Sequence, residues 1–279
     1  METIHNPTEP GAPVVFDNTV LPDKIELRNV CQSYDGGKTF VLQYVNLLIE
    51  DIPKEGESLA ICGPSGCGKS TILRYIAGLQ KPTSGDVLIN AKPRTDADTV
   101  GMVFQQFSPL PWMTVLENVA LGLEFHNVPL KERTEQAMEM LKLVGLEREA
   151  HKYAKDTQLS GGQLQRVALA RSLVVNPTMV LLDEPNSALD VNTSFQMDLL
   201  IMEILERVQA TIIYVTHNIN SAVLFANHVY VMRKDPGRIV KHFPVPLGKH
   251  RDRQTKRDPL FIEIVNQIDD YMNSGVLVS

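Results

Sequence analysis

The chain has no apolar run near the roughly eighteen residues that a membrane-spanning helix needs, so no segment reads as a membrane span. Its first residues, METIHNPTEPGAPVV, offer neither a basic head nor an apolar centre, so no secretory signal is expected there. Cysteine is scarce: Cys31, Cys62 and Cys67 make an odd number, with no second Cys or His pair nearby. A zinc site needs four suitable ligands at short spacing and is excluded; small buried or loop residues are expected instead. Excess positive charge is missing too. With 27 Lys and Arg against 33 Asp and Glu, the net charge of -6 excludes a general nucleic-acid binder, which would be basic. An acidic surface is also repelled by anionic lipid, so work at a membrane would require another protein to hold the chain there.

What is present is 279 residues, 43% of them apolar, enough to bury a large core as one domain or one domain with an insertion. Pro7, Pro10, Pro13 and Pro22 mark residues 1–23 as a loose arm. Strand-like stretches follow at 24–30, 45–50, 57–62, 86–90 and 99–104, then helical patterns at 114–125, at 131–144 and after Gly161. Strands return at 179–184, 211–216 and 228–232, with a helix over 193–209 between two of them. This alternation predicts an α/β fold with a mostly parallel sheet, and the wholly helical stretch 106–176 predicts an inserted subdomain. No internal repeat is found.

Residues 246–279 read as a tail of two parts. KHRDRQTKR at 249–257 sets Lys249, Arg251, Arg253, Lys256 and Arg257 against Asp252 and reads as a solvated basic loop. Beyond it, Asp258 suits a helix N-cap, Pro259 the first helical position and Gly275 the exit. Phe261, Ile264, Val265, Ile268 and Met272 then share one helical face, which is expected to pack on this chain.

GPSGCGKST at 63–71 fits the phosphate-loop pattern G-x-x-x-x-G-K-[ST] without mismatch, after the strand SLAIC and before the helical TILRYIAGL. Gly63, Gly66 and Gly68 let the backbone fold close around oxygen atoms, so that N–H groups line a concavity. Lys69 adds a charge toward the terminal phosphates, and the Ser70 hydroxyl suits Mg²⁺. Pro64, Ser65, Cys67 and Thr71 complete the loop. Cys67 stands beside N–H groups and Lys69, surroundings that activate a thiol facing outward; turned inward, it would be inert.

MVLLDEP at 179–185 is an apolar strand ending in two acids. Asp183 and Glu184 sit where parallel strands open into a ligand crevice. Neighbouring strand residues face opposite ways, so the two acids have separate tasks: Asp183 in a Mg²⁺ shell, Glu184 as a base toward an attacking water. A second phosphate-binding feature is LSGGQLQRVALARSL at 159–173. Ser160, Gly161 and Gly162, followed by Gln163, would present bare N–H groups at the positive end of an amphipathic helix, yet no lysine stands beside them.

In this order, a phosphate loop, LSGGQ and LLDEP, the chain resembles the nucleotide-binding subunits of ATP-binding cassette (ABC) transporters over residues 24–245. The resemblance implies a P-loop NTPase core with a mostly parallel sheet, an antiparallel β part near the N-terminus and an inserted helical subdomain. ATP and Mg²⁺ are the cofactors it implies. Tyr34 matches the aromatic that stacks on adenine, and Gln105 in MVFQQ the glutamine linking Mg²⁺ to the helical subdomain. SALD, ending in Asp190, matches a loop across a dimer interface, and His217 the histidine near the γ-phosphate. Taken alone, Tyr34 reads rather as a strand-end aromatic, Gln105 as a loop amide and His217 as a satisfied histidine after a buried strand; their joint order reverses that. In the family two copies pair head to tail, so each ATP lies between the lysine loop of one copy and LSGGQ of the other. The second feature then needs no lysine, because Lys69 of the other copy already holds that phosphate. One departure is Asn186, where the family usually carries Phe or Thr; the neighbouring acids are intact, so hydrolysis is expected to survive.

FSPLPWMTVLENVALGLEF at 107–125 carries the only tryptophan, Trp112, among Leu110, Val115, Leu116, Val119 and Leu121. Part of it reads as subdomain core; in the family this neighbourhood receives a short helix of the membrane subunit. LPW with VLENVALGLE is similar to ATPases of nitrate, sulfonate and taurine importers, as is RDRQTKRDPLFIEI in the tail, while KPRTDADT before VGMVFQ departs from them. The resemblance implies an importer's ATPase, held at the cytoplasmic face of the cell membrane by an integral permease, with a solute-binding protein acting indirectly. The alternative is a soluble ABC ATPase of translation or DNA maintenance. Such proteins carry two cassettes or a long coiled coil; this chain has one cassette and no heptads. A P-loop kinase or GTPase leaves LSGGQ unexplained.

Overall fold

In the computed structural model the described residues are 23–50, 58–95, 100–104, 109–186, 189–208, 210–248 and 251–273. The first half runs β1 (Asp23–Gln32), β2 (Leu42–Glu50), β3 (Ser58–Cys62), α1 (Lys69–Ile76), β4 (Ser84–Ile89), β5 (Lys92–Pro93), β6 (Val100–Val103), α2 (Val115–Phe125) and α3 (Leu130–Leu143). It continues with α4 (Gly161–Leu173), β7 (Met179–Asp183), α5 (Val191–Val208), β8 (Thr211–Thr216), α6 (Ile219–Phe225), β9 (His228–Arg233), β10 (Arg238–Pro244) and α7 (Pro259–Asn273). The chain divides into two compact units, Met1–Asp98 with Ile213–Ser279 and Thr99–Ile212. Among the described residues no helix is long and apolar enough to cross a membrane.

The first unit holds an antiparallel sheet in the order β2-β1-β4-β5, registered by pairs such as Leu27 with Leu47 and Ile25 with Ile89. It also holds β9 between β10, antiparallel, and β3, parallel. β3 and β8 are buried along almost their whole length, which is why SLAIC and TIIYVT read as unbroken apolar runs rather than alternating ones. In the second unit β6 runs parallel to β7, from Val100 against Met179 to Val103 against Leu182. A Thr114–Glu117 capping box starts α2, whose Val115, Val119 and Leu123 are buried, as are Ala137 and Leu141 of α3. α4 is not the one-sided helix its pattern suggested. Gly162, Leu164, Gln165, Val167, Ala168, Leu169, Ala170 and Leu173 are all buried, because α2, α3, β6 and α5 each pack on it.

Three elements have no counterpart in the strands and helices expected from sequence: the two-residue β5, β10, which extends the β9 edge, and the seven-residue α6. The basic run 249–257 needs correcting as well. Arg251 is not solvated; it is 6% exposed. Its guanidinium donates to the carbonyls of Val223 (3.1 Å), Leu224 (3.3 Å) and Ala226 (2.8 Å), so it caps the C-terminal end of α6. Further bonds reach Gly248 O at 3.1 Å and Asn227 Oδ1 at 2.9 Å. Burial pushes the Arg251 guanidinium down to about 10, which leaves it charged at neutral pH, when it serves as the donor for all these bonds. Beyond it Asp258 Oδ1 accepts the Leu260 N–H at 2.8 Å as a cap, and α7 buries Phe261, Ile264 and Ile268, with α6 packed beside it. Val265 and Met272 are half-buried, and Gly275 lies outside the described residues.

Arg251→Met keeps most of the volume but strands these acceptors, so it is expected to lower unfolding stability by about 2–4 kcal/mol. Chemical denaturation checks this. A loss under about 0.5 kcal/mol, the size of an ordinary surface change, would mean the guanidinium is not a structural cap.

Candidate functional site

The first unit carries the phosphate loop. Gly68 is the N-cap of α1 with φ 98°, and Gly66 has φ 81°; both are left-handed positions where a side chain would be strained. No side chain caps α1 and its first turn holds no acid. The N–H groups that open the helix therefore meet no side-chain cap and no acid from its own first turn, a fitting receptor for phosphate. Lys69 is 4% exposed, and its ammonium donates to the carbonyls of Gly63 (2.8 Å) and Pro64 (3.2 Å), which hold the charge over its own loop. Ser65 and Gly66 are exposed, while Pro64 and Ser70 are half-buried and Thr71 lies in the first turn, facing inward. Cys67 is fully buried, so of the two readings of this thiol the structure takes the inert one. Tyr34, in the same unit, is 65% exposed. His217 is exposed directly after β8, next to Asn218, the N-cap of α6.

The second unit carries LSGGQ and the two acids. Ser160 is the N-cap of α4; its hydroxyl accepts the Gln163 N–H at 3.3 Å while the Gln163 side chain accepts the Ser160 N–H at 2.9 Å. This capping box occupies two donors and leaves those of Gly161 and Gly162, which the helix cannot pair. Thr193 of α5 closes on Gly162 so tightly that a Cβ there would lie 2.9 Å from its methyl group. Asp183 ends β7 and is 5% exposed. Glu184 lies beyond the strand, half-buried, with φ 43°. Glu184 thus leaves the strand in a left-handed turn, so strand alternation does not govern its direction. For a non-glycine residue this conformation costs about 1–3 kcal/mol, and it also opposes the extended bias of a residue before proline. Asp190 is exposed and caps α5, its carboxylate accepting the Thr193 N–H at 3.1 Å and the Thr193 hydroxyl at 2.5 Å. Gln105, Ser187 and Ala188 lie outside the described residues.

The family model described as ABC transporter matches residues 51–187. The nitrate import ATP-binding protein NrtD of Synechocystis sp. is 39% identical over 244 residues, covering 85% of this chain and 89% of the relative. The chain belongs to the ABC transporter family, as an ATP-hydrolysing subunit. The taurine import ATP-binding protein TauB of Pseudomonas aeruginosa is 41% identical over 215 residues, covering 74% of this chain and 80% of the relative. A solved dimeric ATP-binding cassette in a post-hydrolysis state with ADP and Pi matches with TM-score 0.69 and 38% identity, over 80% of this chain and 100% of that one.

Three supports of this ABC ATPase escaped sequence reasoning. Gln80 Nε2 donates to the Tyr34 hydroxyl at 2.9 Å, so it sets the tilt of the exposed ring. Asp35 gathers the loop that follows, accepting the Thr39 hydroxyl (2.6 Å) and N–H (2.9 Å), the Ser33 hydroxyl (2.8 Å) and the Lys38 N–H (3.0 Å). These donors, the Thr39 hydroxyl foremost, hold its carboxyl down to about 2. In the second unit the fully buried Asn118 accepts the Leu110 N–H at 2.7 Å and donates to Leu110 O at 3.0 Å and Met113 O at 3.3 Å, which fixes the LPW loop. Only the Asp35–Gly36–Gly37 turn residues gave any sequence signal.

Proposed function

We propose that this chain is the energy subunit of an importer for a small solute, an anion such as nitrate, a sulfonate or taurine. The observation that carries the reading is the pair of helix N-termini built on glycine, one entered through Gly68 with Lys69 and one, at Ser160–Gln163, without a lysine. Two copies pair head to tail, and each ATP is held by the lysine loop of one copy and by Ser160, Gly161, Gly162 and Gln163 of the other. Tyr34 stacks on adenine. Gly63, Pro64, Ser65, Gly66, Cys67, Gly68, Ser70 and Thr71 wrap the phosphates through their backbone, and Lys69 reaches the terminal ones. The oxygens of Ser70, Gln105 and Asp183 are the hard donors Mg²⁺ prefers, and the ion would neutralise charge on the phosphates. Glu184 accepts the proton of the attacking water, and His217 and Gln105 orient the terminal phosphate and the ion. Asp190 holds the start of α5 where the copies meet. Residues 106–176 act as the helical subdomain of the 24–245 ATPase domain, and 246–279 as its C-terminal extension.

An integral membrane permease holds the chain at the cytoplasmic face, and a solute-binding protein delivers the solute without touching it. The support is Trp112, 70% exposed on a loop that Asn118 bonds at Leu110 and Met113, with Tyr153, bridged to Thr114, 47% exposed. A large aromatic left in water on a fixed loop suits a subunit contact. Trp112→Glu is expected to move the chain from the membrane pellet to the soluble fraction when it is produced with its permease, weakening attachment by roughly thirtyfold or more. ATP turnover of the free chain should not change. Wild-type retention in the pellet would contradict the docking assignment.

A further inference from the structure

Asn186 departs from the family's usual Phe or Thr, and the structure gives it a partner. Its side-chain Nδ2 donates to Oδ1 of Asp198, on α5, in a pair where Asn186 is 8% and Asp198 1% exposed. A carboxylate only accepts, so the amide nitrogen must face it, which fixes the flip of the asparagine. The amide oxygen is then turned away, buried, with no partner among the described residues. Apolar residues at both positions would avoid that orphaned acceptor and the buried carboxylate alike, so stability alone does not account for the pair.

The backbone gives the reason. The Asn186 carbonyl accepts the Leu189 N–H at 3.1 Å, so both ends of the residue are held. Pro185, with φ locked by its ring, is all that separates this anchor from Glu184. Glu184 keeps its left-handed φ of 43° against local preference, and such conformations persist only where the surroundings over-determine them. We propose that Asn186 and Asp198 form a positioning pair that clamps the turn after β7 and thereby aims the Glu184 carboxylate at the attacking water. The proposal rests on Glu184 being the base of the ATPase reaction.

The test uses the full chain with MgATP, following phosphate release and, separately, binding of a fluorescent ATP analogue. Asn186→Leu, Asp198→Leu and the double variant are each expected to lose kcat by about ten- to a hundredfold, the double variant by no more than the larger single loss, because the bond between the two can be removed only once. KM for ATP and analogue affinity should stay within about twofold, a split that mere loss of stability would not give. Asp198→Asn, whose amide oxygen still accepts from Asn186, should keep kcat within about threefold. Asn186→Ala replaces the leucine variant if that one does not fold. Normal kcat in a folded Asn186 variant, losses that multiply in the double variant, or a loss in Asp198→Asn equal to that of Asn186→Leu would each overturn the pair. Glu184→Gln is the control. If it is inactive while Asn186→Leu turns over normally, the pair alone fails; if it still hydrolyses ATP, the base assignment fails and the pair with it.

Discussion

Glu184→Gln is expected to bind MgATP as the wild type does and to lose hydrolysis by about a hundred- to ten-thousandfold, the usual cost of removing a general base. The amide keeps the size and shape of the carboxylate at this half-buried turn but cannot take up a proton. Gln and Glu meet the same backbone demand at φ 43°, so the substitution tests chemistry rather than folding. With ATP bound and uncleaved, the variant should accumulate as an ATP-dependent dimer, seen by size-exclusion chromatography with light scattering. Near-normal phosphate release would refute the role given to Glu184.

Lys69→Ala should fail earlier, at binding. The ammonium sits 2.8 and 3.2 Å from the Gly63 and Pro64 carbonyls, poised to exchange neutral acceptors for charged phosphate oxygens. That interaction exists before the reaction as well as during it, so its removal weakens the ground state. One charge-assisted hydrogen bond contributes about 1.5–3 kcal/mol, so ATP affinity should fall roughly ten- to a hundredfold. Calorimetric titration with ATP reads this directly; an unchanged affinity would count against the phosphate-loop assignment.

Local patterns carried most of the fold and of the site. The unbroken apolar runs of β3, β7 and β8, the glycine loop before α1 and the stripe of Phe261, Ile264 and Ile268 depend on residues close in sequence, and all were legible there. β10 was not, because RIVKHFP mixes charge into an edge strand, and α6 is too short to show a helical period. Arg251 reads as one cation among five; only the fold brings it to the carbonyls at the end of α6, some 25 residues upstream. The tie from Asn186 to Asp198 likewise spans 12 residues and appears only once α5 has packed beside the turn. Strand alternation does not reach Glu184, because the chain leaves β7 at Asp183, one residue earlier than the acid pair suggests.

The central claim is that each ATP is shared between the lysine loop of one copy and the lysine-free helix end of another. The measurement is ATP-dependent dimer formation by a mixture of two variants, both in the Glu184→Gln background that keeps ATP intact. One carries Lys69→Ala. The other carries Ser160→Asp, which preserves the cap of α4, since Asp serves there as well as Ser, but sets a carboxylate against phosphate. A change at Gly162 would be less clean, because any side chain there collides with Thr193 of the same chain. Like charges in a dry interface oppose each other by several kcal/mol, roughly, and Lys69→Ala weakens ATP binding itself, so neither variant alone should dimerise on ATP. Mixed, the two defects fall at one site and leave the other with an intact Lys69 and an intact Ser160. The account predicts ATP-dependent heterodimers in the mixture and none in either variant alone. If both features served one ATP within a single chain, every site would carry a defect and no heterodimer would form, which would contradict it.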